Sequence, residues 1–125
     1  MKSLTDYTQG EQTALFDETG AFFAFSNQQF QEKAVKGVQY CQLQAGIICP
    51  KDKARQLIEG LRNIYQAGIK RDLEENGTEA IIERELYNHE CFYTYDLTDV
   101  KERLEDYGIS AEQIETKFKE LAKQQ

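Results

Sequence analysis

The chain holds a single histidine, His89, and it stands among groups that do chemistry: Asn88 before it, Glu90 and Cys91 after it, then Phe92, Tyr93 and Tyr95. Imidazole is the side chain whose ordinary pKa lies nearest neutrality, so acid–base work at neutral pH would start at His89. Imidazole, carboxylate and thiolate also bind transition metals, which makes His89, Glu90 and Cys91 a candidate metal set. A zincin helix needs a second histidine three residues after the glutamate, and Tyr93 occupies that place; the paired Cys/His spacings of structural zinc are absent too. The competing reading is a half-buried histidine that closes a helix, one turn after Glu85, its ring bonded to a neighbour. Cys49 is the second candidate. It precedes Pro50-Lys51, where a strand passes into a helix, and a helix N-terminus with Lys51 and Lys53 nearby lowers a thiol pKa. A thiol nucleophile needs a base, so the catalytic alternative comprises His89, Glu90 and Cys49. The competing reading is a small buried side chain at the end of a core strand.

The elements that must position these groups follow from periodicity and punctuation. Residues 4–16 suit a first helix, broken at Thr19-Gly20. Ala21 to Phe25 is an apolar, aromatic run that predicts a buried strand. Ser26, with Gln29 three residues on, has the capping-box form and starts a helix ending near Gly37. Residues 38–43 and 47–49 predict a hairpin turned by Ala45-Gly46, and Pro50 suits the first position of the next helix. That helix, 51–75, is the longest, with Ala54, Leu57, Ile58, Leu61, Ile64, Tyr65 and Gly68 on one stripe. Asn76-Gly77 ends it. Thr78 caps a helix over 79–89 whose face carries Ile82, Leu86 and His89. Phe92 to Tyr95 predict a strand. Thr98 caps a helix over 99–107, and Ser110 with Gln113 forms a capping box for the last helix, with Ile114, Phe118 and Leu121 inward. The sum is α+β, mostly helical with a small sheet of three or four short strands, in a single domain over 1–125.

Composition narrows the function. The 125 residues are 40% apolar and 30% charged, as in a soluble globular domain. No apolar run approaches the ~20 residues that span a bilayer, and the N-terminus has no secretory apolar core. Cys41, Cys49 and Cys91 make an odd count without CxxC, which suits reduced thiols in a cytoplasm. No phosphate-binding glycine loop and no nucleophile elbow occurs, and nothing requires a cofactor. The net charge of −7 is unevenly spread. Residues 30–71 hold eight Lys/Arg against three Asp/Glu, a local +5, and residues 72–106 hold three against twelve, a local −9. Such acidity argues against direct binding of nucleic acid and suits attraction of a basic protein surface. Acidic helices that only keep a protein soluble are the competing reading. The seven tyrosines and seven phenylalanines are mostly expected in the core.

Three segments together, Gly20 to Ser26 with Gln29-Phe30, Cys49-Pro50-Lys51, and Asn88 to Thr94, resemble a family of small uncharacterised proteins of bacteriophages and bacterial mobile elements. The resemblance implies expression in the cytoplasm of a bacterial host and carries no functional residue with it. By analogy, small acidic phage proteins inhibit host nucleic-acid enzymes, CRISPR effectors included, by occupying basic channels. The leading expectation is therefore a non-catalytic interaction protein of anti-CRISPR-like type, presenting Glu74, Glu75, Glu79, Glu83 and Asp99 to a basic host protein. The alternatives are a small enzyme or a ligand- or metal-binding domain centred on His89-Glu90-Cys91, and a structural or replication-complex component of a phage.

Overall fold

The computed structural model describes residues 1–124. Helix α1 (Leu4–Thr19) is followed by β1 (Phe22–Phe23), α2 (Asn27–Lys33), β2 (Tyr40–Gln42), β3 (Ile47–Pro50) and the long α3 (Ala54–Asn76). Then come α4 (Thr78–Asn88), the one-turn α5 (Cys91–Thr94), α6 (Thr98–Glu105) and α7 (Ala111–Ala122). The fold is α+β and mostly helical, with one small sheet of three strands among the described residues. Length predicts one domain; backbone contacts divide the chain into two compact units, Thr5–Ala67, and Met1–Leu4 with the chain from Gly68 onward.

In the first unit the sheet is antiparallel with β3 in the middle, Phe22 facing Ile48 on one side and Cys41 facing Cys49 on the other. The expected hairpin is present. It turns through Ala45 and Gly46, both left-handed (φ 59° and 77°). At Gly46 the Phe25 ring lies where a Cβ would be, so a side chain meets both the φ penalty and the ring. Pro50 ends β3 instead of opening a helix. Lys51 N–H donates to Gln39 O and Leu43 N–H to Ile47 O. The Tyr40–Pro50 pair between them is therefore a non-hydrogen-bonded one, where a proline removes no bond to β2.

Alternation along β1 sends its rings to opposite faces. Phe22 meets Phe30 of α2 and Tyr40 of β2, and Phe23 stacks on Phe16 of α1 at 5.1 Å. The run 21–25 is not the buried strand its composition suggests: it pairs over two residues, on an edge, with Phe23 44% and Phe25 73% exposed. Ser26 does cap α2, accepting from Gln29 N–H, while Gln29 reaches back to Phe25 N–H. That helix ends at Lys33, short of Gly37. The α3 stripe is partly correct. Leu57 and Gly68 are buried, Leu61, Ile64 and Tyr65 half-buried, and Ile58 exposed.

The second unit is helical. α4 packs on α5, α6 and α7, with Ile81, Ile82, Leu86, Val100, Leu104 and Ile114 fully enclosed. The Ser110–Gln113 capping box forms in full. Three expectations are corrected. Thr78 is the first residue of α4, with Gly77 at the cap. Thr98 opens α6, and its N–H is taken by Asp96 Oδ1 at 3.0 Å. Residues 92–95 are not a strand: Cys91–Thr94 form one helical turn between left-handed Glu90 (φ 55°) and Tyr95 (φ 60°). Aromatic residues favour strands only where a pleated, half-buried surface awaits them, and the sheet is confined to residues 22–50.

Candidate functional site

The densest polar cluster among the described residues is inside the second unit. Asp72 on α3 is fully buried, and Glu85 on α4 nearly so. Asp72 Oδ1 accepts from Arg84 Nη1 at 2.9 Å and from Asn76 Nδ2 at 2.8 Å. Its Oδ2 accepts from Arg84 Nη2 at 3.0 Å and from the Tyr107 hydroxyl at 2.6 Å. Arg84 also donates from Nε and Nη2 to Glu85 Oε1 (3.3 and 3.0 Å) and from Nη1 to Lys2 O (3.0 Å). These bonds use all five guanidinium N–H groups. Among the described residues no buried side-chain nitrogen or oxygen lacks a hydrogen-bond partner.

The electrostatics follow from that saturation. Burial alone would raise the Asp72 pKa, but bonds from Arg84, Tyr107 and Asn76, with the Arg84 charge, outweigh it and hold the carboxyl below its usual range. Burial works against the Arg84 charge too, yet Asp72 and Glu85 hold its pKa above the ordinary guanidinium value. The Tyr107 phenol is pushed upward by burial and by its bond to charged Asp72. A carboxylate so committed has no lone pair for a substrate, and a guanidinium with 7% of its side chain exposed has no donor for one. The cluster is a clamp that joins α3, α4, the segment after α6 and the Lys2 carbonyl.

His89 lies at the edge of this clamp. Its Nε2 is 3.6 Å from Glu85 Oε2, an ion-pair distance if protonated, and its backbone N–H closes α4 on Glu85 O and Tyr87 O. The reading of His89 as a helix-closing residue one turn after Glu85 matches this geometry. Glu85 also receives Arg103 Nε at 3.4 Å.

His89, Glu90 and Cys91, adjacent in sequence, differ in exposure. Glu90 is exposed, whereas Cys91 is fully buried and its thiol pushed up by burial and by Asp96 and Asp99. Among the described residues no group of three or more His, Cys, Asp and Glu side chains is disposed to hold a metal ion. Cys49 lies in β3 of the first unit. The Cys49 thiol is pushed up, by burial first and then by Cys41 and Asp52, the reverse of the activation expected at a helix N-terminus. A short turn of 3-10 helix, Lys51–Lys53, follows it before α3 begins.

Of the five carboxylates expected to face a partner, Glu74, Glu75, Glu79 and Asp99 are exposed and Glu83 is half-buried. Lys117 Nζ sits 3.3 Å from Glu79 and is also within the field of Glu83, so part of this charge is answered within the unit. Sequence reasoning missed Asp72, Arg84 and Tyr107 altogether, and met Glu85 only as the residue one turn before His89. A signal existed: Asp72 falls one turn after Gly68 on the α3 stripe, and Glu85 falls between Ile81-Ile82 and Leu86.

Beside the clamp lies a row of rings. Tyr87 meets Phe92 at 4.9 Å, Phe92 stacks on Phe118 at 5.2 Å, and Phe118 meets Tyr95 edge-on at 6.3 Å. Tyr87 is 49%, Tyr95 74% and Tyr93 86% exposed. These tyrosines are outside the core in which most aromatics were expected. Tyr87, Glu90, Phe92 and Tyr93 line a cleft of about 430 Å³.

No helix among the described residues is long and apolar enough to cross a membrane. No curated protein and no solved structure is significantly similar to the chain. Residues 4–124 match the family of unknown function DUF7659, and the chain belongs to that family.

Proposed function

We propose that the chain is a non-catalytic binding protein that presents the carboxylates of its second unit to a basic protein partner. One observation supports this most: the unit's ionic chemistry divides into an inside and an outside. Asp72, Arg84 and Glu85 satisfy one another away from solvent, while Glu74, Glu75, Glu79 and Asp99 stay at the surface. Residues 1–4 and 68–125 hold fifteen Asp/Glu against nine Lys/Arg, a net −6 out of the chain's −7. Carboxylates spaced along helices can stand in for backbone phosphates, so the partner class is a protein whose basic surface ordinarily takes nucleic acid. The narrower form is a phage or mobile-element inhibitor of a host defence enzyme in the bacterial cytoplasm, of anti-CRISPR type; it rests on the sequence resemblance and on this charge.

The test is capture from bacterial lysate, at low and at high salt, by the native chain and by a Glu74→Lys, Glu75→Lys, Asp99→Lys variant. Charge complementarity acts mostly on encounter and is screened by salt. Basic proteins should be retained by the native chain at low salt and lost with the reversal. The same retained set for both chains at both salt concentrations would defeat the reading.

A further inference from the structure

We infer that the ring face around α5 is the docking surface for an arginine-bearing segment of a protein partner. This rests on the reading above and sharpens it, because it places recognition at named residues outside the carboxylate set Glu74, Glu75, Glu79, Glu83 and Asp99.

The backbone is arranged to hold these rings outward. α5 is a single turn, and the residues that bracket it, Glu90 and Tyr95, are both left-handed without being glycine. Side chains rarely adopt that conformation unless the surroundings enforce it. Enforcement comes from within: Cys91 is fully buried, and Phe92 is wedged between Tyr87 and Phe118. Tyr93 and Tyr95, the residues these anchors carry, are left exposed. Tyrosine gives a large contact area for two rotatable bonds and is enriched where proteins bind one another.

Charge selects the occupant. Glu90 lines the cleft with Tyr87, Phe92 and Tyr93, and no lysine or arginine does. Asp96 adjoins Tyr95, and its bonds from Thr98 favour the charged carboxylate. Cations of the helices that follow are engaged with carboxylates: Lys101 with Glu115 at 2.6 Å, Arg103 with Glu85 and Lys117 with Glu79. A wholly apolar partner would strip water from Glu90 without replacing it. A second copy would set like charge against like charge, and nucleic acid would meet carboxylates. A guanidinium fits both halves of the surface, since it stacks flat on a tyrosine ring and forms paired bonds to a carboxylate. An ammonium shares the charge and the attraction to a ring, but not the flat stacking or the paired bonds.

The experiment titrates the isotopically labelled full chain with a short peptide carrying two arginines, and with the same peptide carrying lysines, following backbone and ring resonances. The arginine peptide should move the signals of Glu90, Tyr93 and Tyr95 and bind roughly two- to fivefold more tightly than the lysine peptide. Tyr93→Ala should erase that preference without lowering the melting temperature, and Tyr93→Phe, which keeps the ring, should retain it. Equal affinity for the two peptides, or a preference that survives Tyr93→Ala, would overturn the inference. If the peptides bind equally and both are lost with Glu74→Lys, Glu75→Lys, Asp99→Lys, the docking surface falls while the acidic-surface reading stands. If neither peptide binds and lysate capture is indifferent to the reversal, both fall.

Discussion

The buried polar residues of the two units differ in kind. In Thr5–Ala67 they are Thr8 and Thr19, whose hydroxyls donate to carbonyls of their own helix, Thr5 O at 3.4 Å and Leu15 O at 2.8 Å. In the chain from Gly68 onward they are Asp72 and Glu85, charged groups that no local backbone bond can satisfy. Asp72 takes Asn76 from one turn on and other partners from 12 and 35 positions away. Glu85 takes the adjacent Arg84 and Arg103 from the next helix, and the guanidinium of Arg84 also holds a carbonyl 82 positions away. The bonds from Thr8 and Thr19 to their own helix are local; the carboxylates of the second unit need several distant segments in place at once.

The sharpest way to break that contrast is to remove the cation. Arg84→Met leaves two carboxylates in a site built for ions, and losing one partner of a buried pair costs about 3–5 kcal/mol. Urea denaturation should show a loss of that size. Adding Asp72→Leu should recover part of it, because an uncompensated charge is more harmful than a missing pair. A single-variant loss below about 1 kcal/mol, the scale of exposed ion pairs, would show that the clamp does not support the unit.

The first unit should instead behave as an ordinary apolar interior. Leu57→Ala, at a fully enclosed position, should cost about 2–5 kcal/mol. Leu61→Ala should cost clearly less: Leu61 is half-buried and lines a groove of about 750 Å³ with Phe16, Phe22, Phe23 and Tyr65. Equal losses would mean that the groove is closed in solution.

What could be read from sequence divides along the same line. Features set by neighbours were legible: the Ser26 and Ser110 caps, the hairpin turn at Ala45-Gly46, the long helix, and His89 closing α4 on Glu85. Features set by distant partners were not. Phe92-Tyr93-Thr94-Tyr95 has strand composition, yet the chain folds it as a turn of helix because Cys91 and Phe92 are drawn into the helical unit. Asp72 and Glu85 were counted as surface acid because charge is normally outside. Only their place on apolar stripes hinted otherwise, and that hint gains force once Arg84 is known to fall between them. Cys49 was legible as a small buried side chain near the end of a core strand, and it is fully buried in β3; the thiol activation expected at a helix N-terminus was the part that packing reversed.

The smallest of these effects lies at the phenol. Tyr107→Phe removes one of the two donors on Asp72 Oδ2 and leaves Arg84 Nη2 in place, so the loss should be about 1.5–3 kcal/mol, as for a hydrogen bond to a charged group. Its pH dependence separates it from a packing change. Tyr107 holds its proton more tightly folded than unfolded. Its contribution is therefore fully present below the ordinary phenol pKa of about 10 and is lost as pH rises beyond it, because the unfolded chain gives up the proton first. The stability gap between native chain and variant should stay constant up to about pH 9 and narrow toward pH 11. On the acid side the sign is opposite. Asp72 is held below its usual range, so its contribution is present above about pH 4 and fades as pH falls through the lower folded value. Asp72→Asn should flatten that acid limb. A gap that stays constant between about pH 8 and 11 would mean that the phenol proton does not bind Asp72 in solution, and the clamp would then consist of Arg84 with its two carboxylates alone.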